Sequence, residues 1–369
     1  MKIFVIFLHL LIPLFLHAQP DLKTDNLILI TLDGLRWQEL FGGADSVLIR
    51  NNAFVAEPEA LIEQFWQRNR ESRRALLMPF CWQTIATQGQ IYGNRWRGSN
   101  VDVTNRFRFS YPSYNEILTG FADERISSND KIDNLNVTVL EFINKQGGFR
   151  GRVAVFGSWE VFPFIINETR SGIPVNAGFR EAGGEELTWR EEFLNELQRQ
   201  IPSPWRTVRL DAFTHHYALE YAKKHHPRLI YIAYGETDDF AHDHKYDAYL
   251  HAAQRADRFI SDWWSWAQSE PRYRDRTTII ITTDHGRGDG NLWYDHGEKV
   301  IGADHIWLAA IGPDTPPRGE ITIPSQLYQN QIAKTIATLL GVDYRVDRQV
   351  GESIRAVIGN SPQLGDRIK

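Results

Sequence analysis

The chain has one cysteine, Cys81, in 369 residues. A lone thiol excludes an intrachain disulfide, and a chain of this length buries a core without such staples. Long apolar runs are equally scarce. Beyond the N-terminal "MKIFVIFLHLLIPLFLHAQ", no stretch of about 18 apolar residues occurs, so no second segment qualifies as a membrane span. Internal repeats and low-complexity linkers are missing, and no composition break invites a division of the chain. Excess positive charge is missing too: the formal net charge is −5, which gives no sign of a nucleic-acid polymer as partner.

What is present begins at the N-terminus. One Lys, a short apolar run and the small-residue segment "HAQ" read as a secretory signal peptide over residues 1–18, cleaved after Ala18, with an uncleaved anchor as the alternative. A periplasmic or secreted protein with no membrane span after cleavage is therefore expected. The oligomeric state is not legible. With 42% hydrophobic and 24% charged residues, the remainder has the composition of a folded domain.

Five apolar, β-branched runs read as buried strands: "NLILITL" (26–32), "RVAVFG" (152–157), "RLIYIAY" (228–234), "TTIIITT" (277–283) and "HIWLAAIG" (305–312). Amphipathic helical segments separate them. Near-continuous apolar strands alternating with helices predict an α/β fold, a mostly parallel central sheet covered by helices on both faces. The expected organisation is one catalytic domain over 19–369, with insertions at about 42–106 and 158–205. The first insertion reads as irregular and is rich in Trp, Arg and Asn; such segments often wall a substrate site.

The residues that follow the strands carry the chemistry. Asp33-Gly34 follows the first run, "GETDDFAH" with Asp238 and His242 follows the third, and Asp284-His285-Gly286 follows the fourth; a second "DHG" supplies His296. Ligands of open parallel sheets bind beyond the carboxyl ends of the strands, so these acids and histidines converge on one edge. Asp238 and His242 are spaced to share one helical face. Mixed imidazole and carboxylate donors suit zinc best, with Mn or Fe as weaker alternatives, and Asp33, Asp238, His242, Asp284, His285 and His296 suffice for two ions.

The stretch "FRFSYPSYNEILTG" (107–120) holds two serines. Ser113 with Glu116 fits an S-x-x-E capping box. Ser110, before a proline and near a helix N-terminus, is either a turn residue or a nucleophile held where anions bind.

Taken in order, "ITLDGLRW", "SYPSYNEILTG", "ETDDFAH", "TTDHG" and "DHGEKVIGADHIWLAAIGP" resemble the alkaline phosphatase superfamily, in its nucleotide pyrophosphatase/phosphodiesterase-like branch, from about Asn26 to Pro313. The resemblance places the nucleophile at Ser110, leaving Ser113 as the cap. It implies that Asp33, Ser110, Asp284 and His285 hold one zinc, and that Asp238, His242 and His296 hold the other. His305, nine residues after His296, competes for the last place; its position at the head of an apolar strand favours a core role. The resemblance also implies an asparagine that steadies a phosphoryl oxygen: Asn129, with Asn134 as the alternative.

The function so implied is a secreted, two-zinc hydrolase of small phosphate monoesters or diesters, acting through a phosphoseryl intermediate. Trp37, Trp66, Trp82, Trp96 and Trp159 either stack a nucleotide-like substrate or form the core of a cap. Two other readings are a sulfatase or phosphonate hydrolase on the same fold, and a non-catalytic exported glycan-binding protein. Tyr114 stands where a sulfatase signature has Arg, which argues against the sulfatase.

Overall fold

The first apolar run becomes β1 (Asn26–Leu32), and all of its residues are buried. Its side chains alternate between two cores, as the period of a strand requires. Ile28, Ile30 and Leu32 join a core with Tyr249, Leu250 and Trp263 of the Tyr246–Ser269 helix. Leu27 and Leu29 join a second core with Ile117, Leu118, Ile143 and Ile336, from three helices on the opposite face. A strand that feeds a core on each side has no polar face, which is why the run is Ile and Leu except at Asn26 and Thr31. These relations come from a computed structural model that describes residues 22–359, so the expected signal peptide lies outside the described residues.

The other strands are β2 (Gln90–Tyr92), β3 (Ser99–Asp102), β4 (Val153–Gly157), β5 (Val175–Ala177), β6 (Leu229–Tyr234), β7 (Thr277–Thr282), β8 (His305–Ile306), β9 (Leu308–Ile311), β10 (Gly319–Glu320) and β11 (Ser325–Tyr328). Eight form the central sheet in the order β10-β2-β9-β7-β1-β6-β4-β5. From β7 to β5 all neighbours are parallel, whereas β9 runs antiparallel to both β2 and β7. The α/β architecture with a mostly parallel, helix-covered sheet is thus as expected. Thr31 of β1 pairs with Ala233 of β6 and with Thr282 of β7, so these three strands end level at one edge.

Two readings need correction. The run 305–312 is not one strand: β8 joins β3 and β11 in a separate three-stranded sheet, while β9 enters the central sheet. Trp307 marks the break, fully buried, its indole N–H donating to the Leu35 carbonyl at 2.8 Å. Residues 42–106 are also far from irregular. They contain the Pro58–Phe65 and Arg70–Leu77 helices, and their β2 belongs to the central sheet. The tryptophans there pack on cations or rings: Arg50 and Arg73 each lie 4.3 Å from Trp66, Arg74 lies 3.4 Å from Trp82, and Trp37 lies 4.5 Å from Trp96. Within 158–205 lie β5 and the Trp189–Gln200 helix, opened by a Thr188/Glu191 capping box.

One buried ion pair braces the carboxyl edge. Arg36, just beyond β1, donates from Nε to Glu39 at 2.8 Å and from Nη1 to the Gly288 carbonyl at 3.0 Å. Tyr246 donates to the same Glu39 at 2.9 Å, and both charged residues are almost wholly buried. Glu39→Gln leaves a buried guanidinium without its counter-charge, so a loss of about 3–5 kcal/mol is expected in urea unfolding. A loss below about 1 kcal/mol, the range of exposed pairs, would show that the brace is idle.

Candidate metal centre and nucleophile

Each ligand-bearing segment leaves the sheet at the same edge. After β1 the chain turns at Gly34, whose φ of +58° and lack of Cβ are both needed: a Cβ there would lie 2.7 Å from Arg287 Nη2. That turn presents Asp33, whose Oδ2 accepts a 2.7 Å hydrogen bond from the Tyr114 hydroxyl. After β6 the Glu236–His242 helix starts, and its one-turn spacing brings His242 Nε2 to 3.2 Å from Asp238 Oδ2. After β7 come Asp284 and His285; Asp284 Oδ1 accepts the Gly34 N–H at 3.0 Å. The following loop carries His296 back, its Nε2 3.0 Å from that of His242 and its ring stacked 3.9 Å from His285.

Three polar atoms converge without partners. His285 Nε2 lies 3.4 Å from Asp33 Oδ1, 3.4 Å from Asp284 Oδ2 and 3.7 Å from Asp238 Oδ1. Its Nδ1 faces the Gly286 carbonyl at 3.1 Å, a partner that keeps a proton on Nδ1 and leaves Nε2, once deprotonated, to offer its lone pair to an ion. Among the described residues, Asp33 Oδ1, Asp284 Oδ2 and His285 Nε2 are buried and form no hydrogen bond. Leaving such atoms unpaired is costly, and one cation would satisfy all three. Among the described residues, donor atoms within 4.8 Å of one another define three groups: Asp33/Asp238/His285 and Asp238/His242/His296, which share Asp238 here, and Asp102/Asp304/His305, which lies apart at the second sheet. The mixed carboxylate and imidazole donors fit a transition-metal ion.

The protonation pattern reflects this crowding. Burial, reinforced by repulsion from Asp33, pushes Asp284 up to about 8. His285 is opposed by burial, yet the charges of Asp284 and Asp33 hold it up at about 9. For Asp33 burial would act upward, but His285 and the Tyr114 hydroxyl keep its carboxyl below the ordinary value. His296 is pushed well down by burial and by its cationic neighbour His285.

Ser110 is the first residue of the Ser110–Thr119 helix, with Pro112 in the first turn, where a missing N–H costs nothing. The chain on either side of Ser110 touches the cluster. The Arg108 carbonyl lies 3.2 Å from His296 Nδ1, and Tyr114, one turn after Ser110, binds Asp33. The capping-box expectation for Ser113 is overturned. Because the helix starts three residues earlier, Ser113 is fully buried inside it and accepts from Asn105 Nδ2 at 3.1 Å. Glu116 instead gathers the backbone and side-chain donors of Thr104 and Asn105.

The two asparagines differ in placement. Exposed Asn129 accepts the Tyr111 N–H at 3.0 Å, next to Ser110. Buried Asn134 donates to Asn115 and to the Ile165 carbonyl, and accepts from Asn136. His305 is apart from the cluster; it pairs with Asp102 across the second sheet and is half-buried, so it is not a core histidine. Two participants were missed in the sequence. Tyr114, weighed there only as the absence of an arginine, holds Asp33. Arg287, which contacts Asp238 Oδ1, sits three residues past Asp284 in the very motif that points to the site.

Solved structures with this fold share little sequence with the chain. The wild-type alkaline phosphatase PafA is 11% identical, with a TM-score of 0.57 over 93% of this chain and 100% of that one. The phosphonate monoester hydrolase SpPMH from Silicibacter pomeroyi is 15% identical, with a TM-score of 0.54 over 93% of this chain and 78% of that one. A 2-O GAG sulfatase is 13% identical, with a TM-score of 0.55 over 92% of this chain and 75% of that one. The chain therefore shares the fold of these proteins. By sequence it belongs to the type I phosphodiesterase/nucleotide pyrophosphatase family, whose profile matches residues 48–311. That span includes Ser110, Asn129, Asp238, His242, Asp284, His285 and His296, while Asp33 precedes it. No curated protein matches the chain.

Two outcomes are expected. Asp284→Asn and His242→Ala should each lower the metal bound per chain, measured by atomic absorption, while circular dichroism stays native; unchanged stoichiometry in both would refute the ligand assignment. Second, with Asp284 at about 8 and His285 at about 9, both are largely protonated at pH 7 in the metal-free protein. Ligation requires them deprotonated, so ion uptake at pH 7 should release protons and release should fade above pH 9. Titration calorimetry in buffers of different ionisation enthalpy reads this directly; no buffer dependence at pH 7 would contradict it.

Proposed function

We propose that the protein is a two-zinc hydrolase of small phosphate esters that works through a phosphoseryl intermediate on Ser110. The observation that carries the reading is the trio of buried, unpartnered atoms on Asp33, Asp284 and His285, beside a helix that begins at Ser110. Asp33, Ser110, Asp284 and His285 would hold one ion, and Asp238, His242 and His296 the other. Zinc, when bound, supplies Lewis-acid stabilisation of the reacting phosphoryl group and lowers the pKa of the nucleophile and of water.

The protein's own residues do the rest. Ser110 Oγ attacks phosphorus, the ester's alcohol leaves with a proton, and water later frees phosphate from the serine. The helix dipole at this N-terminus favours the anion, although the Tyr111 and Ser113 N–H groups are already bonded and Pro112 has none. Asn129 spends its carbonyl oxygen on the Tyr111 N–H, which leaves its amide N–H₂ free to donate to a phosphoryl oxygen. The fully satisfied Asn134 has no such donor to spare.

Tyr114, standing where a sulfatase signature has Arg, is occupied with Asp33, which supports phosphate over sulfate esters. A complete ligand set speaks against a glycan-binding protein without catalysis. Trp66 and Trp82 are packed under arginines of the cap, so a stacked nucleotide would have to use other surfaces, Trp159 after β4 among them. The signal-peptide-like composition of residues 1–18 supports export to the periplasm or medium. Among the described residues, no helix is long and apolar enough to cross a membrane.

Acid quenching during turnover of a labelled phosphoester should leave label on the Ser110 peptide. Ser110→Ala should abolish turnover with both ions retained, Ser110→Thr should keep part of it, and Ser113→Ala should stay active. Asn129→Ala should cost on the order of 10²-fold in kcat. Label on Ser113, or an active Ser110→Ala, would defeat the proposal.

A further inference from the structure

Arg287 is a buried guanidinium in contact with each segment that carries a carboxylate or histidine ligand. It is about 1% exposed. Its Nε donates to the Gly34 carbonyl at 3.0 Å, beside Asp33. Its Nη1 donates to the Tyr294 carbonyl, two residues before His296. Its Nη2 meets both the Asp238 carbonyl, at 3.2 Å, and the Asp238 carboxylate at Oδ1. Arg287 itself lies two residues past His285. One planar fork thus spans the β1 turn, the Glu236–His242 helix and both ends of the loop after β7. A lysine could not, since an ammonium makes a single point contact in place of the fork.

The oxygen it holds matters. Asp238 is the residue shared by the two donor groups, with Oδ1 3.7 Å from His285 Nε2 and 3.8 Å from His296 Nε2. Rotation of that carboxylate would move a donor of both groups at once. Burial and the fixed partners of Arg287 remove that freedom, and the positive charge offsets one of three carboxylates crowded at the edge. Gly34 adds a constraint from the other side, since any Cβ there would displace both Arg287 and Asp238 Oδ1.

We propose that Arg287 is a positioning residue that fixes Asp238, and through it the spacing of the two ions. The inference rests on the two-ion reading above. Its loss should act chiefly on the ion held by Asp238, His242 and His296, because the Asp33/Asp284/His285 side keeps its own anchors in Tyr114 and the Gly34 N–H.

The test measures metal binding, not turnover. Wild type, Arg287→Met, Arg287→Lys and Arg209→Met are stripped with chelator and titrated with zinc against a chromophoric chelator, with thermal unfolding of each. Arg209 is the control: it is equally buried, but it binds Thr214 and Asn176 away from the ligands. Wild type and Arg209→Met should bind two zinc ions with the same affinities, even though Arg209→Met melts lower. Arg287→Met should keep one ion near wild-type affinity and bind the second 10–100-fold more weakly, the usual effect of losing an outer partner. Arg287→Lys should fall between, and it decides the matter if Arg287→Met does not fold. Two tight ions in Arg287→Met or in Arg287→Lys would overturn the inference and leave the two-ion reading intact. Equal loss of the second ion in Arg209→Met would overturn it as well, by showing a merely structural effect. A wild type that binds no pair of ions would overturn both.

Discussion

Three carboxylates brought together at the end of a sheet repel one another, and much of the surrounding structure can be understood as the means of holding them there. Asp33, Asp238 and Asp284 arrive from three strands whose ends are level because the parallel register makes them so. The protein offsets the repulsion locally. His285 faces all three carboxylates, Arg287 contacts Asp238, Tyr114 donates to Asp33, and the Gly34 N–H donates to Asp284. Even so, buried donor atoms stay unpaired, a cost that a folded protein carries where a ligand repays it.

The two halves of the cluster differ in their access to water. Asp33, Asp284 and His285 are buried, whereas His242 is exposed and Asp238 and His296 are half-buried. An ion on the inner side would sit in a low dielectric, where its effect on a serine hydroxyl is strongest; one on the outer side would meet solvent and substrate. The polar network around Ser158, Asp211 and Glu236 stiffens the neighbouring ends of β4 and β6. There the Ser158 hydroxyl donates to Asp211 at 2.6 Å, and Asp211 accepts the Gly235 and Glu236 N–H groups. Burial and the charge of Glu236 push Asp211 up to about 8, in keeping with a structural role in which it stays hydrogen-bonded.

Much of this was legible in the sequence, for physical reasons that can be named. A strand buried on both faces writes itself as a run rich in Ile and Leu with Thr, Tyr or Ala and no charged residue, so β1, β6 and β7 could be placed almost to the residue. Asp33 follows β1 directly, Asp284 and His285 come just after Thr283 beyond β7, and Asp238 and His242 lie in the short helix that begins two residues after β6, so the edge could be read as well. The break at Trp307 was not legible, because an indole that bonds a distant carbonyl looks in sequence like one more apolar residue of a strand. The N-cap lies at Phe109, four residues before Ser113, and was misplaced because S-x-x-E matches a cap by pattern alone. In the fold, Glu116 serves donors from Thr104 and Asn105, which no local rule reveals. Arg287 and Tyr114 act through long-range contacts, and the order of residues along the chain does not disclose those.

The account's central claim is that this edge is built for two ions next to Ser110. Anomalous diffraction from zinc-loaded crystals, recorded on either side of the zinc absorption edge, tests it most directly. The account predicts two peaks about 4 Å apart, one among Asp33, Asp284 and His285 and one among Asp238, His242 and His296, with Ser110 Oγ beside the first. A single peak, or peaks away from these side chains, would contradict it.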